Sequence, residues 1–368
     1  MELGPDHFRS LNPDLLVEIM SRLDGSNLAA TASTCTALRD AAGDERLWQK
    51  LCNETWPSTS NGHLQFQIAS SKTGSFKSLY TDAFPLVVYE VTRGVPKRIP
   101  TGTIEDTTSS PWDFISLIDI YYKGRCIFSK VVDGMIESMY RTCNNDFSWF
   151  LCYPFKLDLL DFYCPVGASH DFQDFGSTEN NLSKLPLAAF TGCEGREDLC
   201  NKIVGDLQLS WILYDKRKGR AVNISSWKPR SIYRNNPPEE GYVICFGSII
   251  PIEDSRLPHT LAECVITVKC KLMIKQECIR WREISLVIND RSGSHLNGEQ
   301  SMAVMKQALI CPRSINHYMV ELGYQQFCKQ KIEIKLRQQQ EESLANILCA
   351  AMAIAALLGI CYACATLL

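Results

Sequence analysis

The sequence has little of what catalysts usually carry. No G-x-S-x-G, H-E-x-x-H, phosphate-binding glycine loop or dinucleotide fingerprint occurs in its 368 residues, so the common nucleophilic, metal-hydrolytic and nucleotide-dependent chemistries have no starting point. The six histidines, at positions 7, 63, 170, 259, 295 and 317, show no metal-ligand spacing. A predominance of either charge is missing as well. A formal net charge of −3, with no Lys/Arg cluster interleaved with aromatics, gives no footprint for nucleic acid. Repeats of leucine-rich, kelch or WD period are absent. The N-terminus, Met1 to His7, lacks the basic-then-apolar order of a secretory signal. The expectation is a non-enzyme with no cofactor, no metal and no nucleic-acid partner.

The residues that could argue otherwise read as structural. Asp158 with Asp161, or Glu239 with Glu240, form carboxylate pairs in polar turns, where such pairs are ordinarily solvated. Trp149, Trp211, Trp227 and Trp281 could line a ligand groove, although tryptophans on alternating strands are ordinarily core. Cysteine is plentiful, with 17 in the chain, but scattered behind no signal sequence, which favours reduced thiols over a disulfide framework. Cys126, Cys152, Cys245, Cys264 and Cys270 fall in apolar runs, where a thiol behaves as a small hydrophobe.

From Leu11 to about Trp56 the apolar spacing is helical. Asn12 suits an N-cap, Pro13 the first helical position, and Asp14 the positive end of the dipole. Leu15, Leu16, Ile19, Met20 and Leu23 then share one face. A second helix starts near Ser26 or Asn27 with Leu28, Ala32, Cys35 and Leu38 inward, and a third carries Leu47, Trp48 and Leu51. Three short helices make a marginal core, so part of this stripe should seek a partner.

The run Leu11 to Leu23, followed by Leu28, Cys35, Leu38-Arg39 and Leu47-Trp48, resembles an F-box. Asn12 stands between Leu11 and Pro13 where many F-boxes have leucine and proline adjacent. The resemblance implies docking on the Skp-type adaptor of a cullin–RING ubiquitin ligase, the SCF complex, with the rest of the chain choosing what is ubiquitinated. It places adaptor contacts at Leu11, Pro13, Leu15, Leu16, Ile19, Leu23, Leu28, Cys35, Leu38, Leu47 and Trp48. Trp56-Pro57-Ser58-Thr59 is similar to the continuation in a small group of plant F-box proteins with a β-rich C-terminal half, and the likeness extends loosely to about residue 310.

After a polar stretch over 58–80, expected as a linker, the period changes from helical to two. Strand candidates are Leu86 to Val91, Phe114 to Ile120 paired with Cys126 to Val132 across Lys123-Gly124, Leu207 to Leu213, Ala221 to Ile224, Tyr242 to Ile250, Cys264 to Leu272 and Trp281 to Ile288. Short strands joined by polar turns favour an antiparallel sandwich. One helix interrupts them, with Asn297 and Gln300 at cap-and-N3 spacing and Met302, Met305 and Leu309 on its inner face.

Leu344 to Leu368 is uncharged and apolar. As a helix it would be about 37 Å long, enough to cross a hydrocarbon core of roughly 30 Å. Lys329, Lys331, Lys335 and Arg337 precede it, an asymmetry that keeps the N-terminal part cytosolic. Lys331 to Arg337 alternates like a strand while Gln338 to Glu342 suits a helix, and the sequence leaves that open.

The expectation is therefore an α+β chain: a three-helix F-box module (7–57), a linker (58–80), a mainly antiparallel, sandwich-like substrate domain (81–325), a juxtamembrane spacer (326–343) and one transmembrane helix (344–368). It would be tail-anchored, with a Skp-type adaptor, a cullin and a target protein as partners. Alternatives are a ligase-independent membrane-anchored scaffold, or a small-ligand or glycan-binding module coupled to the ligase.

Overall fold

A computed structural model describes residues 12–71, 73–89, 110–135, 148–160, 184–186, 205–235, 241–252, 260–273 and 278–367. Expected elements outside these ranges, including the Leu11 end of the first helix, Asp161 and the Glu239–Glu240 pair, lie beyond the described residues.

The N-terminal segment holds four helices: α1 (Pro13–Met20), α2 (Gly25–Ala32), α3 (Thr36–Ala41) and α4 (Glu45–Thr55). Asn12 Oδ1 accepts from Asp14 N at 2.9 Å, as its position at the cap required. The expected second helix is broken in two. Ser33 and Thr34 hydroxyls donate back to the carbonyls of Ala30 and Thr31 at 2.6 and 2.8 Å, taking up acceptors at the helix end, and Cys35 is extended.

Residues 58–80, expected as a linker, are packed structure. A 3₁₀ turn (Pro57–Ser60) leads into α5 (Gly62–Ser70) and α6 (Phe76–Ala83), the last opened by a Ser75–Ser78 capping box. The Tyr80 ring lies 5.7 Å from Trp48 and 5.4 Å from Trp56 between centroids.

Two sheets follow. The first runs β12 (Arg313–Ser314), β1 (Leu86–Val87), β7 (Arg220–Asn223), β6 (Leu207–Asp215), β2 (Phe114–Tyr122), β3 (Arg125–Asp133). The second runs β4 (Lys156–Asp158), β11 (Cys278–Asp290), β10 (Leu261–Met273), β9 (Gly241–Pro251), β8 (Ser231–Asn235), with β5 (Lys184–Pro186) also on β11. Pairing is antiparallel apart from β1 with β7. The expected hairpin turns at Lys123 and Gly124, both at positive φ, the geometry that a two-residue primed turn demands. A short helix α7 (Ser148–Cys152) and α8 (Gly298–Ala308) pack together at the sandwich, and α8 has the expected Asn297–Gln300 capping box.

Strand β2 has no exposed face. Phe114, Ile118 and Ile120 enter the core between the sheets with Leu209, Trp211, Phe246, Ile266 and Leu286. Ile115 and Leu117 point the other way, into a second core with Leu28, Leu47, Trp48, Trp56, Leu64 and Tyr80 from the helices. The molecule is thus layered helices, sheet, sheet, and the helices share a core with the first sheet.

A last helix, α9 (His317–Leu367), is continuous through the segment that the sequence left open. Its first turns are clasped to the sandwich. Val320 packs on Leu86 and Val88, and Phe327 is enclosed by Ile249 and Leu261. Arg230 pairs with Glu321 and stacks 4.4 Å from the Tyr324 ring, while Lys331 Nζ lies 2.5 Å from Glu263. Beyond the clasp, residues 344–359 are exposed on every side.

Polar groups pin the layers. Asp119, fully buried on β2, accepts from Ser58 N at 3.0 Å, Ser58 Oγ at 2.5 Å and Ser129 Oγ at 2.7 Å. Burial raises its carboxyl and these hydrogen bonds offset that only in part, leaving it at about 6. Because the folded value lies above the ordinary 3.8, the protonated form favours folding. That contribution is complete below about pH 4 and is lost as pH rises through about 6, roughly 3 kcal/mol in all. Asp119→Asn cannot ionise, so denaturant titration should find the wild type's advantage over this variant smaller at pH 7.5 than at pH 4.5. An advantage independent of pH would contradict an ionising Asp119.

Candidate adaptor-binding face

The eleven sequence-selected residues do not form one surface. Leu11 lies outside the described residues, and of Pro13 only its place at the start of α1 is described. Leu15 and Ile19, at 49% and 50% exposure, stand one turn apart on the outer side of α1. Leu28, Leu47 and Trp48 are buried in the core that joins the helices to the sheet, and Leu16 is buried on the inner side of α1. Leu23 and Leu38 are half-buried against that core. Cys35 is half-buried at the start of α3.

This division follows from α1's own periodicity. Leu16 and Met20 face inward four residues apart, and Leu15 and Ile19 lie about 100° round the helix from them. Among the described residues nothing covers that second pair. Charge frames it: Glu18 and Arg22 pair at 3.3 Å on the exposed side, and Lys50 Nζ donates to Ser21 O at 3.4 Å, bracing the end of α1 from α4. Behind it, Trp48 Nε1 donates to Ala42 O at 2.7 Å, fixing the largest ring of the support. The arrangement can do no bond chemistry. It offers two apolar side chains on a rigid backing, each worth about 1.5–3 kcal/mol if a partner buried it fully.

Burial pushes the Cys52 thiol up and the Cys264 thiol up to about 12, so neither is a thiolate nucleophile at neutral pH. Trp211 and Trp281 lie in the inter-sheet core, and Trp211 Nε1 donates to Ser116 Oγ at 3.2 Å. Trp227 packs on Tyr121 at 5.7 Å between centroids. Among the described residues no group of three His, Cys, Asp or Glu side chains could hold a metal ion.

Sequence reasoning missed the residues that seat the module on the sheet. Besides Ser58 and Asp119, Asp82 at the end of α6 takes Arg220 Nε at 2.6 Å and Arg313 Nη1 at 3.2 Å, tying α6 to β7 and β12. A signal existed in one case, since Asp119 is the lone charge in the run Phe114 to Tyr122.

Comparison with known proteins agrees with this geometry. Residues 9–54 match the F-box-like family. The F-box protein At3g44326 of Arabidopsis thaliana is 27% identical over 94% of this chain and 87% of its own length, and the F-box protein At2g27310 of the same plant is 27% identical over 94% and 93%. The F-box protein GID2 of Oryza sativa subsp. japonica is 31% identical over 19% of this chain and 33% of its own length. No solved structure matches. The chain carries an F-box-like domain, and it is similar to plant F-box proteins well beyond that domain.

The two classes of residue should separate experimentally. Leu15→Ala with Ile19→Ala should leave the midpoint of urea unfolding nearly unchanged, whereas Leu28→Ala should cost about 2–5 kcal/mol. Equal losses from the exposed pair and the buried residue would contradict this placement.

Proposed function

We propose that this chain is a substrate receptor of an SCF-type ubiquitin ligase, working at a membrane surface. The observation that carries the reading is the exposed Leu15–Ile19 pair on an F-box-like helical module whose Met20, Leu28, Leu47 and Trp48 are occupied inside the protein. In this reading the pair, together with Leu11 and Pro13 of the same sequence pattern, seats a Skp-type adaptor, and the adaptor brings the cullin. Leu16, Leu23, Leu28, Cys35, Leu38, Leu47 and Trp48 serve that contact by shaping and stiffening the module from behind.

The receptor performs no chemistry. Its contribution is positional: a target lysine held near a ubiquitin-charged enzyme experiences a raised effective concentration. The two-layer β part is the target-selecting domain in this reading, corresponding to 81–325 of the sequence.

Membrane attachment rests on α9. Among the described residues it is the one helix long and apolar enough to cross a bilayer. Leu344, Ile347, Leu348, Met352, Ile354, Leu357 and Leu358 are all exposed, and a helix apolar all round needs lipid or protein to cover it. The excess of Lys and Arg before it supports a cytosolic sandwich. The clasp at Phe327 and Lys331 leaves about 20 Å of helix before Leu344, so the tether is short and stiff.

Binding of a purified Skp-type adaptor to the folded Leu15→Ala, Ile19→Ala variant should fall by about 30-fold or more, since two lost anchors remove upwards of 2 kcal/mol. Affinity within threefold of wild type would overturn the F-box reading. Deleting 344–368 should move the chain from the carbonate-resistant membrane fraction to the soluble one without changing adaptor affinity. A full-length chain that is already soluble would remove the membrane from the account.

A further inference from the structure

Two of the molecule's broad surfaces are already occupied. The outer side of the first sheet carries the helices, and α9 crosses one end of the second sheet's outer side at Ile249, Leu261 and Glu263. The other end of that second face is uncovered among the described residues, and its charges are layered in depth. Glu283 and Asp158 are sunk, with side chains 16% and 7% exposed, beneath Lys269 and Lys156 at 38% and 47%. Lys156 Nζ reaches Glu283 at 3.0 Å and Asp158 at 3.2 Å, and Lys269 pairs with Glu283. Burial raises the Glu283 carboxyl, but hydrogen bonds from Lys269, Ser285 and Lys156 outweigh that and hold it at about 2, so the pairs persist at all ordinary pH. What faces the solvent is therefore the cations.

Two more cations stand beside them without a carboxylate among the described residues: Lys271, two positions along β10, and the exposed Arg282, beside the register shift between β10 and β11. Tyr233, on the edge strand β8, is exposed and stands in register with Val243, Lys269 and Glu283 across four strands. Tyrosine and arginine, here Tyr233 and Arg282, are side chains that concentrate binding energy at interfaces, and the lysines around them supply charge. A basic patch is unexpected on a chain whose formal net charge is −3. Along β10 its Lys269 and Lys271 lie about 20 and 27 Å from the Glu263 clasp, at the end of the sheet that α9 does not cross, which favours a protein over the bilayer as its occupant.

We propose that this end of the second sheet, built by Tyr233, Lys156, Lys269, Lys271 and Arg282, is the docking surface for an acidic segment of the target protein. The proposal rests on the substrate-receptor reading and assigns the place where the target sits. Complementary charge there would select acidic targets and speed their encounter, with the steep salt dependence that such steering carries.

The test uses the full chain in detergent micelles with the adaptor bound. A fluorescein-labelled twelve-residue peptide of alternating aspartate and glycine is titrated by anisotropy, with phosphatidylserine vesicles as a second probe. Lys271→Glu with Arg282→Glu should weaken peptide binding at least tenfold, and Lys271→Gln with Arg282→Gln severalfold. Lys335→Glu with Arg337→Glu, on α9 beyond the clasp, should leave it unchanged. Adaptor affinity, measured in parallel, should be the same in all variants; its loss in the wild type would refute the ligase reading separately. Equal peptide binding by the wild type and both patch variants would overturn the proposal. So would patch variants that lose vesicle binding while keeping the peptide, because the patch would then be a lipid contact.

Discussion

The structure depends on one strand being buried from both sides. With Phe114, Ile118 and Ile120 in the sandwich and Ile115 and Leu117 under the helices, β2 is the common wall of both cores. Burial of an apolar side chain is worth about 1.5–3 kcal/mol, so the helices gain from the sheet what their own small core lacks, and the sheet gains a cover for its outer face. Asp119 converts this contact into a specific seat. Its carboxylate satisfies the Ser58 amide at the start of the 3₁₀ turn, a donor that would otherwise be buried unpaired, and only one placement of Trp56 to Thr59 meets it.

Position follows from that wall. The helix that carries Leu15 and Ile19 is backed by Trp48 and Tyr80, these by the first sheet, and that by the second, with Trp56, Leu64 and Ile68 between α4 and α6 packed in the same core. At the other end the Asp82–Arg220–Arg313 cluster ties α6 to β12, two residues before α9 begins. A receptor that works by placing a target is well served by such continuity, because effective concentration falls as the connection between sites loosens.

What was legible in the sequence was what is decided locally. The Asn12 cap, the Asn297–Gln300 box and the Lys123–Gly124 turn each depend on residues within four positions of one another, and each is present. The longer strand candidates were legible from alternation. The division of the second helix was not, because Ser33 and Thr34 end it through back-bonds that apolar spacing does not reveal. Residues 58–80 looked like a linker because the core that Leu64, Ile68, Phe76, Leu79 and Tyr80 enter is completed by strands far along the chain, at Ile115, Leu117, Ile212 and Tyr214. Lys331 to Arg337 alternates, yet helix continuity from the Phe327 clasp prevails and leaves Ile332 and Leu336 exposed. For the candidate site, the list of residues was legible but its two faces were not. An F-box pattern marks Leu15 and Leu16 alike, and only the packing of α1 on the rest of the chain decides that Leu16 turns inward and Leu15 outward.

The most direct test of the central claim is the composition of the complex purified through the full-length chain from a whole-cell detergent extract of plant tissue. Quantitative mass spectrometry should find a Skp-type adaptor and a cullin in near-equal amounts with the chain itself. A folded chain recovered with adaptor and no cullin, or with neither, would contradict a ligase receptor and leave a scaffold that uses its F-box-like helices for another partner.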